Sequence, residues 1–196
     1  ADDIIRSAIK NKELNTKNTS KFTVDFYSKG NLTLLKLPKR VSVAVSGQEE
    51  VSKVDSLKPS VIYLSETVSK IAYQKPDKLN EHIIASKISG NDNGYSFNTA
   101  KESFFDFYEE TISLNQRVDV KMISPLASNA FSYYKYKLDG TFLEGDHLIN
   151  RIKVTPKRDK EPVFEGYIYI VDESWAIYGV AFDALGGNSA LGTALR

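Results

Sequence analysis

The sequence predicts an α+β fold: a curved antiparallel β-meander, a half-barrel, with an N-terminal helix and one or two inserted helices packed on the sheet. Three observations carry this. SYYKYKLDGTF, HLINRIKVTPK, VFEGYIYIVD and SWAIYGVAF, over residues 132–182, alternate in polarity and are joined by short polar turns. Consecutive alternating strands with short links form an antiparallel meander, not crossover units. The opening residues instead show helical spacing, and the 11 Tyr and 10 Phe cluster in alternating segments, as strands favour.

In chain order, ADDIIRSAIKNKEL offers Asp2 or Asp3 as an N-cap, and Ile5 and Ile9, with Ile4 and Ala8, share one helical face. KFTVDFYSKG places Phe22, Val24 and Phe26 on one face of a strand and Thr23, Asp25 and Lys29 on the other. A second strand is expected over Leu32–Val45, broken near Pro38, followed by a polar excursion over 46–60. VIYLSE, SKIAYQKP and KLNEHIIASKIS then read as strands, with a turn at Lys75-Pro76-Asp77.

Thr99 and Glu102 have capping-box spacing, and Phe104, Phe107, Tyr108 and Ile112 recur every three to four residues, which predicts a helix. Residues 103–109 also fit a strand. Ser124-Pro125 is an N-cap and N1 pair, so SPLASNAFSYY should open with a short helix. One domain is expected over 1–183. ALGGNSALGTALR, 184–196, breaks the pattern and is expected to stand outside the fold.

With 196 residues, 26 basic and 25 acidic side chains, the chain suits one sizeable core and has no long-range field for nucleic acid or anionic membrane. The local basic run Lys153 to Lys160 contains Pro156, is flanked by Asp159 and Glu161, and reads as a solvated hairpin loop. No cysteine is present, which excludes thiol catalysis, thiolate zinc sites and disulfides. No apolar run approaches the ~20 residues of a membrane helix. No signal-peptide pattern is seen, and the start at Ala1-Asp2-Asp3 suits a mature protein or an excised domain.

Chemistry is sparse. The two histidines, His82 and His147, fall in a strand and beside the Gly145-Asp146 turn, and neither has an identifiable catalytic partner. Glu49-Glu50, Glu109-Glu110 and Asp172-Glu173 are adjacent pairs whose side chains point apart. Asn91-Asp92-Asn93-Gly94 carries oxygen ligands, but its glycine stands fourth rather than sixth, and Tyr95, Phe97 and Ala100 interrupt any calcium-loop alternation. A tight turn is the expectation there. No metal, cofactor or catalytic residue is assigned. The aromatic excess is the remaining lead: Phe104, Phe107, Tyr108, Phe131, Tyr134 and Trp175 are candidate walls of an apolar cavity, against the alternative of ordinary core.

Three long strings resemble one family together: VIYLSETVSKIAYQKPDKLNEHIIASKISGNDNGYSFN, MISPLASNAFSYYKYKLDGTF and INRIKVTPKRDKEPVFEGYIYIVDESWAIYGV. They resemble a large outer-membrane family of Gram-negative bacteria whose members are labelled carboxypeptidase-like regulatory domain-containing proteins. The resemblance covers about residues 60–180. It implies a periplasmic setting at the outer membrane, between a small N-terminal β-sandwich and a C-terminal β-barrel of the same parent protein. It implies no peptidase activity and transfers no catalytic residue.

The element pattern is also similar to the periplasmic lipoprotein-carrier fold, in which a half-open barrel holds acyl chains under a helical lid. On that similarity SFFDFYEETI is the candidate lid, and a lipid, acyl chain, lipoprotein or apolar peptide is the expected ligand. The alternative is a protein–protein interaction or spacer module without a ligand.

Overall fold

A computed structural model describes residues 1–34, 60–90, 99–100, 104–114, 121–158, 160–185 and 193–195. The Leu35–Val45 part of the expected second strand, the excursion up to residue 59, the Asn91–Gly94 turn and Glu102 of the capping box lie outside these residues. The chain divides into two compact units, Ala1–Ser20 with Phe105–Arg196, and Lys21–Phe104.

The first unit opens with α1, Asp2–Asn18. Ala1 is its N-cap, so Asp2 and Asp3 fall in the first turn instead of capping it, and Lys17 lies in the last. Each charge opposes the helix dipole, worth about 0.3–1 kcal/mol per end when exposed. Ile5 and Ala8 are fully buried, with Ile4 and Ile9 packed partly against the same core. Asn15 is buried too, and its Nδ2 donates to the Ser174 carbonyl at 3.2 Å.

Phe104 to Thr111 is not helical. The chain runs through a turn at Phe107-Tyr108 into a short strand, β4, Thr111–Ser113, which pairs antiparallel with β5, Lys121–Ile123. The helical hydrogen bonds are displaced by tertiary ones. The Ser124 hydroxyl donates to the Phe107 carbonyl at 2.7 Å, and the Ser124 amide donates to the Glu110 carbonyl at 3.1 Å. Asp106 also accepts from the Tyr108 amide, a local turn bond that competes with helix. Ser124-Pro125 likewise opens turns, and the helix, α2, comes later and is brief, Ala130–Tyr133.

The four alternating segments form β6 (Tyr134–Glu144), β7 (His147–Pro156), β8 (Val163–Val171) and β9 (Ile177–Leu185). With β10, Thr193–Leu195, they make an open antiparallel sheet in sequential order, β10-β9-β8-β7-β6. Ala184 and Leu185, grouped by composition with the tail, extend β9, and Ala184 pairs with Thr193. Glu144 pairs with His147 around Gly145-Asp146, and Gly145 has φ +59 in the first central position, where a II′ hairpin takes glycine. Ile152, Val154, Phe164, Ile168 and Phe182 project from one face into a core shared with Ile5, Ala8, Met122 and Leu126.

The second unit is a three-stranded antiparallel sheet, β1-β2-β3, with β1 Lys21–Leu34, β2 Ser60–Gln74 and β3 Lys78–Gly90. VIYLSE and SKIAYQKP are one continuous strand, turning at Lys75-Pro76-Asp77 across a cis Lys75–Pro76 bond. The apolar signal lapses between them because the buried positions there are Ser65, Thr67 and Ser69. Thr67 and Ser86 hydroxyls meet at 3.0 Å, and Ser69 donates to Glu81 at 2.7 Å. The opposite face carries ion pairs Lys29–Glu66 and Lys70–Asp25, at 2.8 and 3.9 Å. Hydrogen bonding between Lys29 and Glu66 raises the lysine pKa and lowers the glutamate's.

Candidate functional site

The alternation that builds the five-stranded sheet also decides where its aromatic residues point. Phe107 is buried, its ring 5.4 Å from Phe164 and 5.5 Å from Phe182. That spacing leaves no width for an acyl chain among these three rings. The Tyr134 hydroxyl donates to the Ile123 carbonyl and accepts from the Phe164 amide at 3.1 Å. The Tyr108 hydroxyl accepts from the Ile177 amide at 2.9 Å, and burial raises its pKa. Phe131 lies under the Arg6 guanidinium, 4.2 Å from the ring centroid, and edge-on to Tyr136. Trp175 is partly buried against the same core at φ +58.

Five of the candidate wall residues therefore gather in the core of the first unit. The sixth, Phe104, belongs to the second unit, stacks 5.0 Å from Tyr73 and is 42% exposed.

The polar candidates stay apart. His82 and His147 are both exposed, on strands of different units. Glu110 is held by the Lys12 ammonium and by the amide and hydroxyl of Ser128, at 2.8 and 2.9 Å, so it ties α1 to the turn before α2. Asp172 accepts from Asn150 at 3.3 Å. Among the described residues no group of three or more His, Cys, Asp or Glu converges at metal-ligand spacing.

The Lys12 hydrogen bond is the main reason the Glu110 pKa is lowered. A lowered carboxylate pKa stabilises the fold above the unfolded value, about 4.3, and that stabilisation is lost as pH falls through the lower folded value. Glu110 is half exposed, so screening holds the effect below about 1 kcal/mol. Glu110→Gln should lower the thermal midpoint slightly at neutral pH, and the difference from wild type should close below about pH 4. A gap that persists unchanged to pH 3 contradicts this account.

What remains available is surface. On the second unit, β3 is one of two outer strands among the described residues, β1 being the other, and His82 to Ser89 are exposed on both faces. Ile83, Ile84 and Ile88 are 47%, 55% and 44% exposed. A bulge leaves Ile84 unpaired, between Ile83 opposite Ser69 and Ala85 opposite Val68. At the other end of this sheet a wide opening of about 500 Å³ is lined by Phe22, Ala72, Tyr73 and Leu79 and equally by the polar Lys21, Thr23, Gln74, Asp77, Lys78 and Asn80.

Among the described residues no helix is long and apolar enough to cross a membrane. In comparisons with known proteins, no curated protein and no solved structure matched significantly. Residues 4–193, nearly the whole chain, match the model of the Family of unknown function (DUF5686), and the chain belongs to that family.

Proposed function

We propose that this chain is a non-enzymatic periplasmic module of an outer-membrane protein, and that it binds another polypeptide along β3. The observation that carries the reading is the exposed apolar strand itself. A long outermost strand presents unpaired backbone donors and acceptors, and proteins ordinarily blunt such edges. Here the guards are one bulge, at Ile84, and Lys87. An extended apolar segment added beside β3 would take up the edge hydrogen bonds and cover Ile83, Ile84 and Ile88. The β-barrel of the parent protein, or an envelope-assembly partner, would supply that segment.

The test is a photo-crosslinking residue at Ile84 in cells, with the adduct mapped by mass spectrometry. An alternating apolar peptide from another polypeptide or from the barrel is expected, and Ile83→Asp/Ile88→Asp should abolish it. No adduct, or one unaffected by the double variant, overturns the reading.

A second reading rests on a different observation, the opening lined by Phe22, Tyr73 and Leu79. In it the module is lipoprotein-carrier-like and holds an acyl chain on the second unit's sheet, each buried methylene contributing ~0.8 kcal/mol. Native mass spectrometry of protein from an envelope preparation would then show bound lipid, lost in Phe22→Asp. Protein without lipid excludes this reading and leaves the first standing.

A further inference from the structure

The outer face of the five-stranded sheet, opposite the core, is divided by charge. On β6 and β7 it carries Lys135, Lys137, Arg151 and Lys153, with Lys137 directly opposite Lys153. On β8 and β9 it carries Glu165 directly opposite Asp183. Like charges facing each other across a ladder destabilise it, and here this happens twice with opposite signs. Arg151 is engaged by Asp139 at 2.9 Å. Lys135, Lys137, Lys153, Glu165 and Asp183 have no ion-pair partner among the described residues. Between the two strips run Tyr167 and Tyr169, and toward the β6–β7 turn lie Phe142 and Tyr178, 38% and 51% exposed.

We infer that this face binds the same face of a second copy of the chain. A partner of one sign, such as an anionic bilayer or a nucleic acid, would attract one strip and repel the other. A second copy carries both strips. A twofold axis running along the strands between β7 and β8 lays β6 of one copy over β9 of the other. The register brings the charges level: Lys135 pairs with Thr155, Lys153 pairs with Tyr167, and Glu165 and Asp183 stand two residues beyond Tyr167 on the Thr155 side. Lys135 therefore faces Asp183 of the second copy, and Lys153 faces its Tyr167, ammonium over ring.

Four strands about 4.8 Å apart over six residues present a flat area of about 400 Å². A standard interface buries about 800 Å² per partner, so this is a weak, reversible dimer. It uses a different face and unit from the β3 proposal, and either can fail alone.

Sedimentation equilibrium of the chain from micromolar to near-millimolar concentration tests it. A monomer–dimer equilibrium is expected, weakening about tenfold as salt screens the strips. Lys135→Glu and Asp183→Lys should each weaken association about tenfold or more, and the double swap should restore it. Both side chains are exposed, and far-UV circular dichroism checks that each variant folds. A monomer throughout, a dimer indifferent to the single swaps, or a double swap that does not recover overturns the inference. So does binding to anionic vesicles without self-association.

Discussion

Gly166→Ala is expected to lower stability by about 4 kcal/mol or more and the thermal midpoint by roughly 10 °C. Gly166 lies inside β8 at φ +144, a backbone region that side chains rarely adopt. A methyl group built there would stand 2.1 Å from the Ala181 carbonyl oxygen and 3.1 Å from the Phe182 Cα. Both obstacles are backbone of the neighbouring strand, so no side chain can swing aside. Relief requires β8 and β9 to separate where Phe164, Ile168 and Phe182 meet the core. Gly179→Ala is the matched control. Its methyl would meet only Tyr169 Cδ2, at 3.9 Å, and its change should stay below about 1 kcal/mol. Thermal unfolding followed by circular dichroism decides, and a Gly166→Ala midpoint within a few degrees of wild type contradicts the steric account.

Tyr134→Phe should cost about 2–4 kcal/mol, a large effect for one oxygen atom. The side chain is 1% exposed, and its hydroxyl serves two backbone groups on different strands, the Ile123 carbonyl of β5 and the Phe164 amide of β8. Phenylalanine keeps the ring packing and leaves both groups without that partner. An orphaned buried donor or acceptor costs about 1–3 kcal/mol. Tyr136→Phe removes a single bond, to the Pro125 carbonyl at 2.7 Å, and should cost about half as much. Urea titration should show a lower midpoint with an unchanged slope; equal midpoints for the two variants would sink the argument.

The same burial raises the Tyr134 pKa, only partly offset by the Phe164 amide. A phenol whose folded pKa is raised contributes stability below its unfolded value, about 10, and loses it as pH climbs past that value. Above about pH 10 Tyr134→Phe should therefore lose less stability than wild type does.

Four strands of the five-stranded sheet, β6 to β9, were legible because alternation of period two is a direct image of one buried and one exposed face, whereas β10 lies in the segment expected outside the fold. HLINRIKVTP shows it plainly, with Ile152 and Val154 fully buried and Arg151 and Lys153 exposed. The N-terminal helix was legible for the same kind of reason, through Ile5 and Ala8. Residues 104–112 were not. Phe104, Phe107, Tyr108 and Ile112 have helical spacing, yet Ser124, more than ten residues on, claims the Phe107 and Glu110 carbonyls that a helix would use. β2 was read as two strands because its buried centre is Ser65, Thr67 and Ser69, which carry no apolar signal.

The candidate site followed the same division. Aromatic richness pointed to Phe107, Tyr134 and their neighbours, but composition is the same whether rings line a cavity or pack on one another. Only the structure sets Phe107 5.4 Å from Phe164. The surfaces now favoured were hidden for a different reason. KLNEHIIASKIS reads as a strand, but its pattern does not say that the strand ends a sheet with Ile83 and Ile88 nearly half exposed.

The sequence by itself determined the strand-rich class, the meander of the last third and which side chains share a face. Tertiary structure decided which strand ends a sheet and which residue stands opposite which. Alternation names the face of a side chain but not its partner across the ladder, because sliding a strand by two residues leaves every face unchanged. Lys137 meets Lys153, and Glu165 meets Asp183, only once the register is set.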